Sequence, residues 1–148
     1  MIRVATISDM PRLLELGRRL LSESALSRFT FDFAKAADSL ANIITGGGVV
    51  FVAERDGEII GGFAGGVTEL WYSKDKVGFD YSLFIQPGSR SGITAIKLVQ
   101  AFEVWATELG AVELHLGIST GVNIDGTTRL YEHLGFQQVG PLFKKKVN

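Results

Sequence analysis

The fold is decided at Leu83-Phe84-Ile85-Gln86-Pro87-Gly88-Ser89-Arg90-Ser91-Gly92-Ile93-Thr94-Ala95, where a strand ends and a helix begins. Pro87 forces a turn, and the small residues after it open the helix. Free N–H groups in the first turn of a helix, together with its dipole, attract anions such as pyrophosphate. Gly92 permits close backbone approach, Thr94 offers a hydroxyl and Arg90 a positive charge. The stretch predicts either an anion site or an ordinary glycine-containing turn.

Residues that follow this stretch predict a parallel crossover. Apolar residues recur at helical spacing up to Leu109, and Gly110 ends the helix. Residues 112–116 read as a strand, so strand, helix and strand form one crossover unit. A further helix at 126–134, stopped by Gly135, and a final strand at 142–147 complete the C-terminal half.

Residues that precede the stretch predict an antiparallel meander. Alternating apolar segments at 49–53, 59–71 and 77–85 form its three strands. The first hairpin turns at Asp56-Gly57, a pair that tolerates positive φ.

Further upstream, the sequence predicts a short strand and two helices. The strand covers 2–7, and Ser8-Asp9 and Pro11 then begin an amphipathic helix. The second helix spans 32 to about 45 and is limited by Gly46-Gly47-Gly48. The predicted fold class is α/β (α+β), a single mixed sheet of about six to seven strands with about four flanking helices.

Length and composition define one ordinary globular domain. The 148 residues allow a single domain at 1–148, and 46% of them are hydrophobic and 21% charged. The net charge of −1 leaves no basic excess for nucleic acid. The absence of cysteine removes disulfides, thiolate metal sites and cysteine nucleophiles. Without a secretory leader or an apolar run long enough to span a bilayer, we expect a cytoplasmic protein with no membrane partner.

Two motifs together resemble those of the GNAT acetyltransferase superfamily. Pro87-x-x-Arg90-Ser91-Gly92, followed by Ala95, looks like the loop that holds the pyrophosphate of acetyl-CoA. Further along, Leu130-Tyr131-Glu132-His133-Leu134-Gly135-Phe136 is similar to the second hallmark, a Tyr ahead of a Gly-Phe pair. The order of elements agrees over essentially the whole chain. The loop departs from the family pattern at Ile93, where a glycine is usual.

The resemblance implies an N-acetyltransferase that uses acetyl-CoA as cosubstrate and no metal. The backbone of Leu83, Phe84 and Ile85 would pair with the pantetheine arm like an extra strand. The pyrophosphate would lie against the six residues Arg90, Ser91, Gly92, Ile93, Thr94 and Ala95. Asn123 would hydrogen-bond the pantetheine.

Catalytic residues are assigned in the same way. The resemblance makes Tyr131 the general acid that protonates the departing thiolate, a role open to a phenol. Asp80 lies among apolar strand neighbours, where a carboxylate gains a raised pKa and can act as base on the amine. Glu69, beside Trp71 and Tyr72, is the other candidate base.

Three alternatives compete with this interpretation. The first is a CoA-binding or regulatory module that keeps the fold with little or no turnover. The second is an esterase, since residues 117–121 match G-x-S-x-G around Ser119 and precede Asp125 and His133. These residues are too close in sequence for a hydrolase triad. The third is a metal site, which two isolated histidines, His115 and His133, do not favour.

The acceptor is a small-molecule amine or a peptide amine, and the sequence leaves its identity open. Its pocket is expected from residues 22–33, which contain Phe29 and Phe31, and from the loop at 71–76. The resemblance also implies a homodimer, which similar proteins commonly form.

Overall fold

The computed structural model describes residues 1–89, 92–118 and 123–148. Within them, one mixed sheet has five strands in the order β1-β2-β3-β4-β5. The strands are β1 Ile2–Val4, β2 Val49–Arg55, β3 Glu58–Glu69, β4 Lys76–Ile85 and β5 Ala111–His115. The first four pair antiparallel, and β5 runs parallel to β4. This arrangement confirms the predicted mixed sheet, antiparallel first and parallel later.

Four α-helices flank the sheet, as the sequence predicts. They are α1 Met10–Ser22, α2 Phe33–Asn42, α3 Ile93–Glu108 and α4 Ile124–His133. A short 3-10 turn, Ile7–Asp9, precedes α1, and a π-helical turn, Ile43–Gly47, follows α2. The helical backbone ends where Gly46 (φ 137°) breaks it, at the predicted limit of about 45. None of the described helices has the length and hydrophobicity needed to cross a bilayer.

The entrance to α1 is held by a local hydrogen-bonded motif. Asp9 Oδ2 accepts from the backbone N–H of Thr6 at 2.8 Å. Both carboxylate oxygens of Asp9 also accept from the guanidinium of Arg3, at 2.8 and 3.0 Å. This guanidinium lowers the pKa of Asp9 to about 2. Because Thr6 to Asp9 form the cap, the first strand stops at Val4, earlier than the predicted 2–7.

Both faces of the sheet are buried, each against different helices. On β2, Val50 and Val52 belong to the apolar cluster on the α1 side, with Leu13 and Leu16. The alternating residues Val49, Phe51 and Ala53 belong to the opposite cluster, which contains Leu98, Phe102 and Tyr131. The period-2 direction of strand side chains thus explains why β2 is apolar throughout.

Glycines in β3 allow the sheet and α3 to approach closely. A Cβ on Gly65 would lie 2.5 Å from the carbonyl oxygen of Phe79 and 2.7 Å from the Phe102 ring. At this point the register of β3 with β4 also shifts, from Ala64–Ser82 to Gly65–Asp80. The shift leaves Tyr81 as the extra residue of a β-bulge, which bends β4.

The predicted final strand is wrong, and the described sheet has five strands rather than six or seven. Residues 137–148 contain no strand, and Leu142 and Phe143 are 74% and 87% exposed. Apolar residues at 142, 143 and 147 suggested a strand, but the three lysines at 144–146 interrupt any alternation. Local composition also does not create a neighbouring strand edge with which the segment can pair.

Candidate active site

The candidate site lies where β4 and β5 part. Their parallel pairing ends at Phe79 and His115, whereas β4 continues to Ile85. Beyond Phe79, β4 pairs with β3 on one edge, and no described strand covers its other edge. The bulge at Tyr81 bends β4 just past the end of this pairing. The two strands therefore leave a gap beside the outer edge of β4.

A cavity of about 460 Å³ fills this gap. Its walls come from β4, the first turn of α3, the segment after β5, α4 with the residue before it, and one leucine of α1. The lining residues are Leu20, Asp80, Tyr81, Ser82, Leu83, Ile85, Gly92, Ala95, Gly117, Ile118, Asn123, Gly126, Thr127, Arg129, Leu130 and Tyr131.

Seven predicted site residues meet in this cavity although they come from three separate parts of the chain. They are Asp80, Leu83, Ile85, Gly92, Ala95, Asn123 and Tyr131. Gly92 precedes α3 with a φ of 84°, a conformation that favours glycine. The cavity thus extends from the start of α3 to the end of α4.

The other predicted residues lie elsewhere. Phe84 is buried on the α1 side of the sheet, so only its backbone remains on the open edge of β4. Ile93 is 61% exposed, and Thr94 is buried without lining the cavity. Glu69 is exposed at the end of β3, opposite Lys76. Arg90 and Ser91 lie outside the described residues.

Asp80 is a partly buried carboxylate on the wall of the cavity. Its Oδ2 accepts a long hydrogen bond, 3.5 Å, from the backbone N–H of Gly117. Burial raises the pKa of Asp80 above its usual value, and the Gly117 N–H opposes that shift. A carboxylate with a raised pKa and one weak hydrogen bond is suited to accept a proton.

Tyr131 is 7% exposed and lies in the same cavity. Burial raises the pKa of its phenol, and the negative charge of Asp80 raises it further. The hydroxyl therefore stays protonated and can donate a hydrogen bond to a negative atom in the cavity.

The chain that follows Tyr131 holds it in place. The Gly135 N–H donates to the Glu132 carbonyl at 3.1 Å, and the Phe136 N–H donates to the Tyr131 carbonyl at 2.9 Å. These two bonds, with Gly135 at φ 91°, form a Schellman motif. The rings of Tyr131 and Phe136 also pack at 5.4 Å. The Tyr-Gly-Phe hallmark is thus a helix end that fixes the tyrosine.

Asn123 occupies the left-handed region, with φ 48° and ψ 54°, immediately before α4. Asparagine tolerates this conformation better than most residues. Its side-chain amide lies against Gly126, where any Cβ would collide with it. The position of Asn123 is therefore set by its own backbone and by the glycine three residues on.

Several lining residues were not found from the sequence. Thr127 and Leu130 lie on the same face of α4 as Asn123 and Tyr131, and helical spacing was sufficient to find them. For Leu20 and Ser82 no local signal existed, because distant elements bring them to the cavity. Arg129 adds a positive charge, and it forms no salt bridge within the described part of the chain.

The residues of the esterase and metal-site alternatives are not brought together in the described part of the structure. Ser119 lies outside the described residues, and Asp125 and His133 are exposed on α4. His115 is exposed and contacts Glu113 at 3.2 Å. Among residues 1–89, 92–118 and 123–148, no cluster of His, Cys, Asp or Glu is arranged to hold a metal ion.

The aromatic residues expected at the acceptor pocket lie outside the main cavity. Phe29 and Phe31 line a second, shallower cavity of about 380 Å³, between the end of α1 and the start of α2. Trp71 and Tyr72 are 95% and 69% exposed and pack edge to face at 5.3 Å.

Comparison with protein families identifies the chain. The model for the acetyltransferase (GNAT) domain matches residues 46–138, which include β2 to β5, every lining residue of the cavity except Leu20, and the Tyr-Gly-Phe helix end. The chain belongs to the GNAT acetyltransferase family. The resemblance drawn from the two motifs is confirmed. No curated protein sequence matches the GNAT chain.

Solved structures share the GNAT fold over nearly the whole chain. A predicted acetyltransferase of Clostridium acetobutylicum with acetyl-CoA has a TM-score of 0.80 and 18% identity, covering 99% of this chain and 95% of its own. The ribosomal-protein-alanine N-acetyltransferase of Brucella melitensis has a TM-score of 0.79 and 22% identity, covering 95% and 86%. An aminoglycoside acetyltransferase from an uncultured soil metagenomic sample, in complex with trehalose, has a TM-score of 0.77 and 22% identity, covering 100% and 96%. At these identities the likeness shows the fold alone.

Proposed function

We propose that this GNAT domain transfers an acetyl group from acetyl-CoA to a primary amine by direct attack. The observation that carries the proposal is the gap between β4 and β5, into which Asp80 and Tyr131 both project. The gap joins an open strand edge, a helix start and two ionisable groups in one cavity. Acetyl-CoA needs all three: an edge for its amide-containing arm, N–H groups for its phosphates, and proton transfer at its thioester.

Each part of the proposed cosubstrate is assigned to one region of the cavity wall. The outer edge of β4 at Leu83, Phe84 and Ile85 would hydrogen-bond the pantetheine amides as a neighbouring strand does. The start of α3, from Gly92 to Ala95, would face the pyrophosphate with its free N–H groups. Arg90 and Ser91 remain predicted contributors to that loop. The side-chain amide of Asn123 would form a hydrogen bond with the pantetheine from the opposite wall of the cavity.

Asp80 is proposed as the base. The amine nitrogen forms a bond to the thioester carbon, and the carbon–sulfur bond breaks. The proton that the amine loses passes to the Asp80 carboxylate, directly or through one water. Glu69 remains the alternative predicted base, but its exposed position at the end of β3 favours Asp80.

Tyr131 is proposed as the general acid that stabilises and protonates the departing thiolate. Its raised pKa makes the phenol a weak acid, and it keeps the O–H protonated at neutral pH. A hydrogen bond from this O–H stabilises the developing thiolate, whose conjugate acid has a pKa of about 8.5 in a free thiol. The proton that Tyr131 gives to the sulfur would be replaced by the amine proton held on Asp80, so that the thiol leaves protonated and no phenolate remains.

Isothermal titration of the purified protein with acetyl-CoA and with CoA tests the proposal first. We expect micromolar binding of both, and an absence of binding at millimolar ligand would contradict the proposal. Thiol release measured with a panel of amines then reports turnover. The panel includes an aminoglycoside, a polyamine and a peptide with an N-terminal alanine, since neither the cavity nor the sequence selects among them.

Tyr131→Phe separates an enzyme from a binding module. In an enzyme the variant should lose about 10²–10⁴-fold in kcat. Its Kd for CoA should stay within a few-fold, because the ring and its packing against Phe136 remain. A wild-type protein that binds CoA and acetylates none of the amines would favour the regulatory module instead.

A further inference from the structure

Arg12, on α1, lies outside the cavity, and its guanidinium makes four hydrogen bonds. Its Nε donates to the Ile59 carbonyl at 3.2 Å, and its Nη1 donates to Glu15 at 3.1 Å. Its Nη2 donates to Glu58 at 3.0 Å and to the side-chain oxygen of Gln86 at 2.6 Å. The side chain is 22% exposed. This one residue therefore joins α1, the start of β3 and the end of β4.

Gln86 is the first residue of the turn that leads from β4 towards α3. Its backbone N–H extends the ladder by donating to the Ile60 carbonyl at 2.7 Å. Its carbonyl accepts from the Ser89 N–H at 3.0 Å, which closes a four-residue turn. Pro87 in second place and Gly88 at φ 88° in third are the pattern of a type II turn. Both backbone groups of Gln86 are used in these two bonds. Its side-chain oxygen accepts from Arg12, and this contact ties the turn to α1.

We propose that Arg12, acting through Gln86, is a positioning residue for the pyrophosphate of CoA. The inference rests on the proposed function and extends it to a residue far from the cofactor motif. The turn at Gln86 sets where the chain begins its path to Gly92 and the first N–H groups of α3. Arg12 does not line the cavity, so it acts on the direction of those donors and not on the ligand itself.

The geometry of the contact favours this role over that of an ordinary surface ion pair. Exposed ion pairs contribute little and tolerate loss. Arg12 instead spreads its donors over two carboxylates, one backbone carbonyl and one amide, and no other residue type supplies donors in that fixed fork. Its partner Gln86 lies 74 residues away in the sequence.

The test compares two ligands that differ only at the phosphate end. Acetyl-CoA carries the pyrophosphate and the adenosine 3′-phosphate joined to it, whereas acetyl-pantetheine lacks both. We expect Arg12→Ala to raise the Kd for CoA and the KM for acetyl-CoA about tenfold. The kcat at saturation and the KM for acetyl-pantetheine should remain within about twofold of wild type.

Two further variants make the result specific. Gln86→Ala should reproduce the loss, and adding Arg12→Ala to it should cost little more, because both act through one contact. Arg19→Ala is the matched control, since Arg19 lies on the same helix and pairs only at the surface with Glu15. This control variant should leave the KM values for acetyl-CoA and acetyl-pantetheine unchanged.

The inference is overturned if Arg12→Ala and Gln86→Ala bind CoA as wild type does. An equal rise in KM for acetyl-CoA and acetyl-pantetheine would also overturn it, because it would indicate that the variant destabilises the fold as a whole. If Arg12→Ala fails to fold, Gln86→Ala alone decides, since it leaves the other three Arg12 contacts in place. A wild-type protein that does not bind CoA at all would instead remove the proposed function.

Discussion

Asp80 and Tyr131 line one cavity from two different elements, and the charge of Asp80 raises the pKa of the Tyr131 phenol. The carboxylate projects from β4 at the bulge, and the phenol projects from the last turn of α4. Each is partly or fully withdrawn from water, which raises both pKa values. One group is thereby ready to accept a proton, and the other is sure to hold one.

The first prediction concerns the pH dependence of turnover. Only ionised Asp80 can act as base, so kcat should fall on the acid side, with an apparent pKa above the ordinary value of 3.8. The raised pKa of Tyr131 means that no alkaline loss due to this phenol should appear up to about pH 10. A pH–rate profile under saturating donor measures both limbs. Asp80→Asn should lose most turnover together with the acid limb. Survival of turnover in Asp80→Asn, with its loss in Glu69→Gln, would transfer the role to Glu69.

The second prediction concerns the stability of the Asp80 variant. A carboxyl whose pKa is raised by folding stabilises the native state only while protonated, so stability is lost as pH rises through its native pKa. Asp80→Asn removes this ionisation, and we expect its Tm to exceed that of wild type between pH 6 and 8. The advantage should shrink towards pH 4. Thermal denaturation followed by circular dichroism measures the difference. Glu69→Gln, at an exposed position, should show no such gain.

The third prediction concerns the helix end that holds Tyr131. Gly135→Ala forces a Cβ into the left-handed region and should cost about 1–2 kcal/mol in the free energy of unfolding. Because the Schellman motif also anchors Tyr131, kcat should fall as well. Gly140→Ala is the control, since nothing lies within 4 Å of its added Cβ and its φ is ordinary. Urea unfolding and turnover are the two measurements, and equal stability of the two variants would contradict this account.

The fourth prediction concerns acid stability at the start of α1. The pKa of Asp9, lowered to about 2, makes its stabilisation present above the unfolded value near 3.8 and lost as pH falls towards 2. Asp9→Ala should reduce the free energy of unfolding by about 1 kcal/mol at pH 7. At pH 2 it should unfold more nearly as wild type does. Asp38→Ala, on the exposed face of α2, should show no such convergence. A constant difference across pH would contradict the role of the Arg3–Asp9 pair.

Most of the secondary structure was predictable because its signals are local. The meander follows from alternation and from Asp56-Gly57, whose φ values of 52° and 79° are both positive as expected. The helices follow from apolar spacing and their glycine limits. The helix end at Tyr131, Gly135 and Phe136 is also local, because its two hydrogen bonds span three and five residues.

The prediction of a final strand was wrong because strand formation depends on a non-local condition. Residues 142–147 are apolar at both ends, but three consecutive lysines separate those ends without alternation. A strand also exists only when another strand offers its edge. That condition depends on residues far away in the sequence, and the pattern of the segment itself does not contain it.

The sequence alone determined the fold class, the family and the two motifs, since periodicity, turn residues and short-range hydrogen bonds are read along the chain. Tertiary structure decided which carboxylate faces the cavity. Asp80 and Glu69 are comparable strand carboxylates, and only the bulge at Tyr81 and the end of the β4–β5 pairing separate them. It also brought Arg12 to Gln86 across 74 residues. Strand register and long-range side-chain contacts arise from packing, and packing is a property of the folded chain.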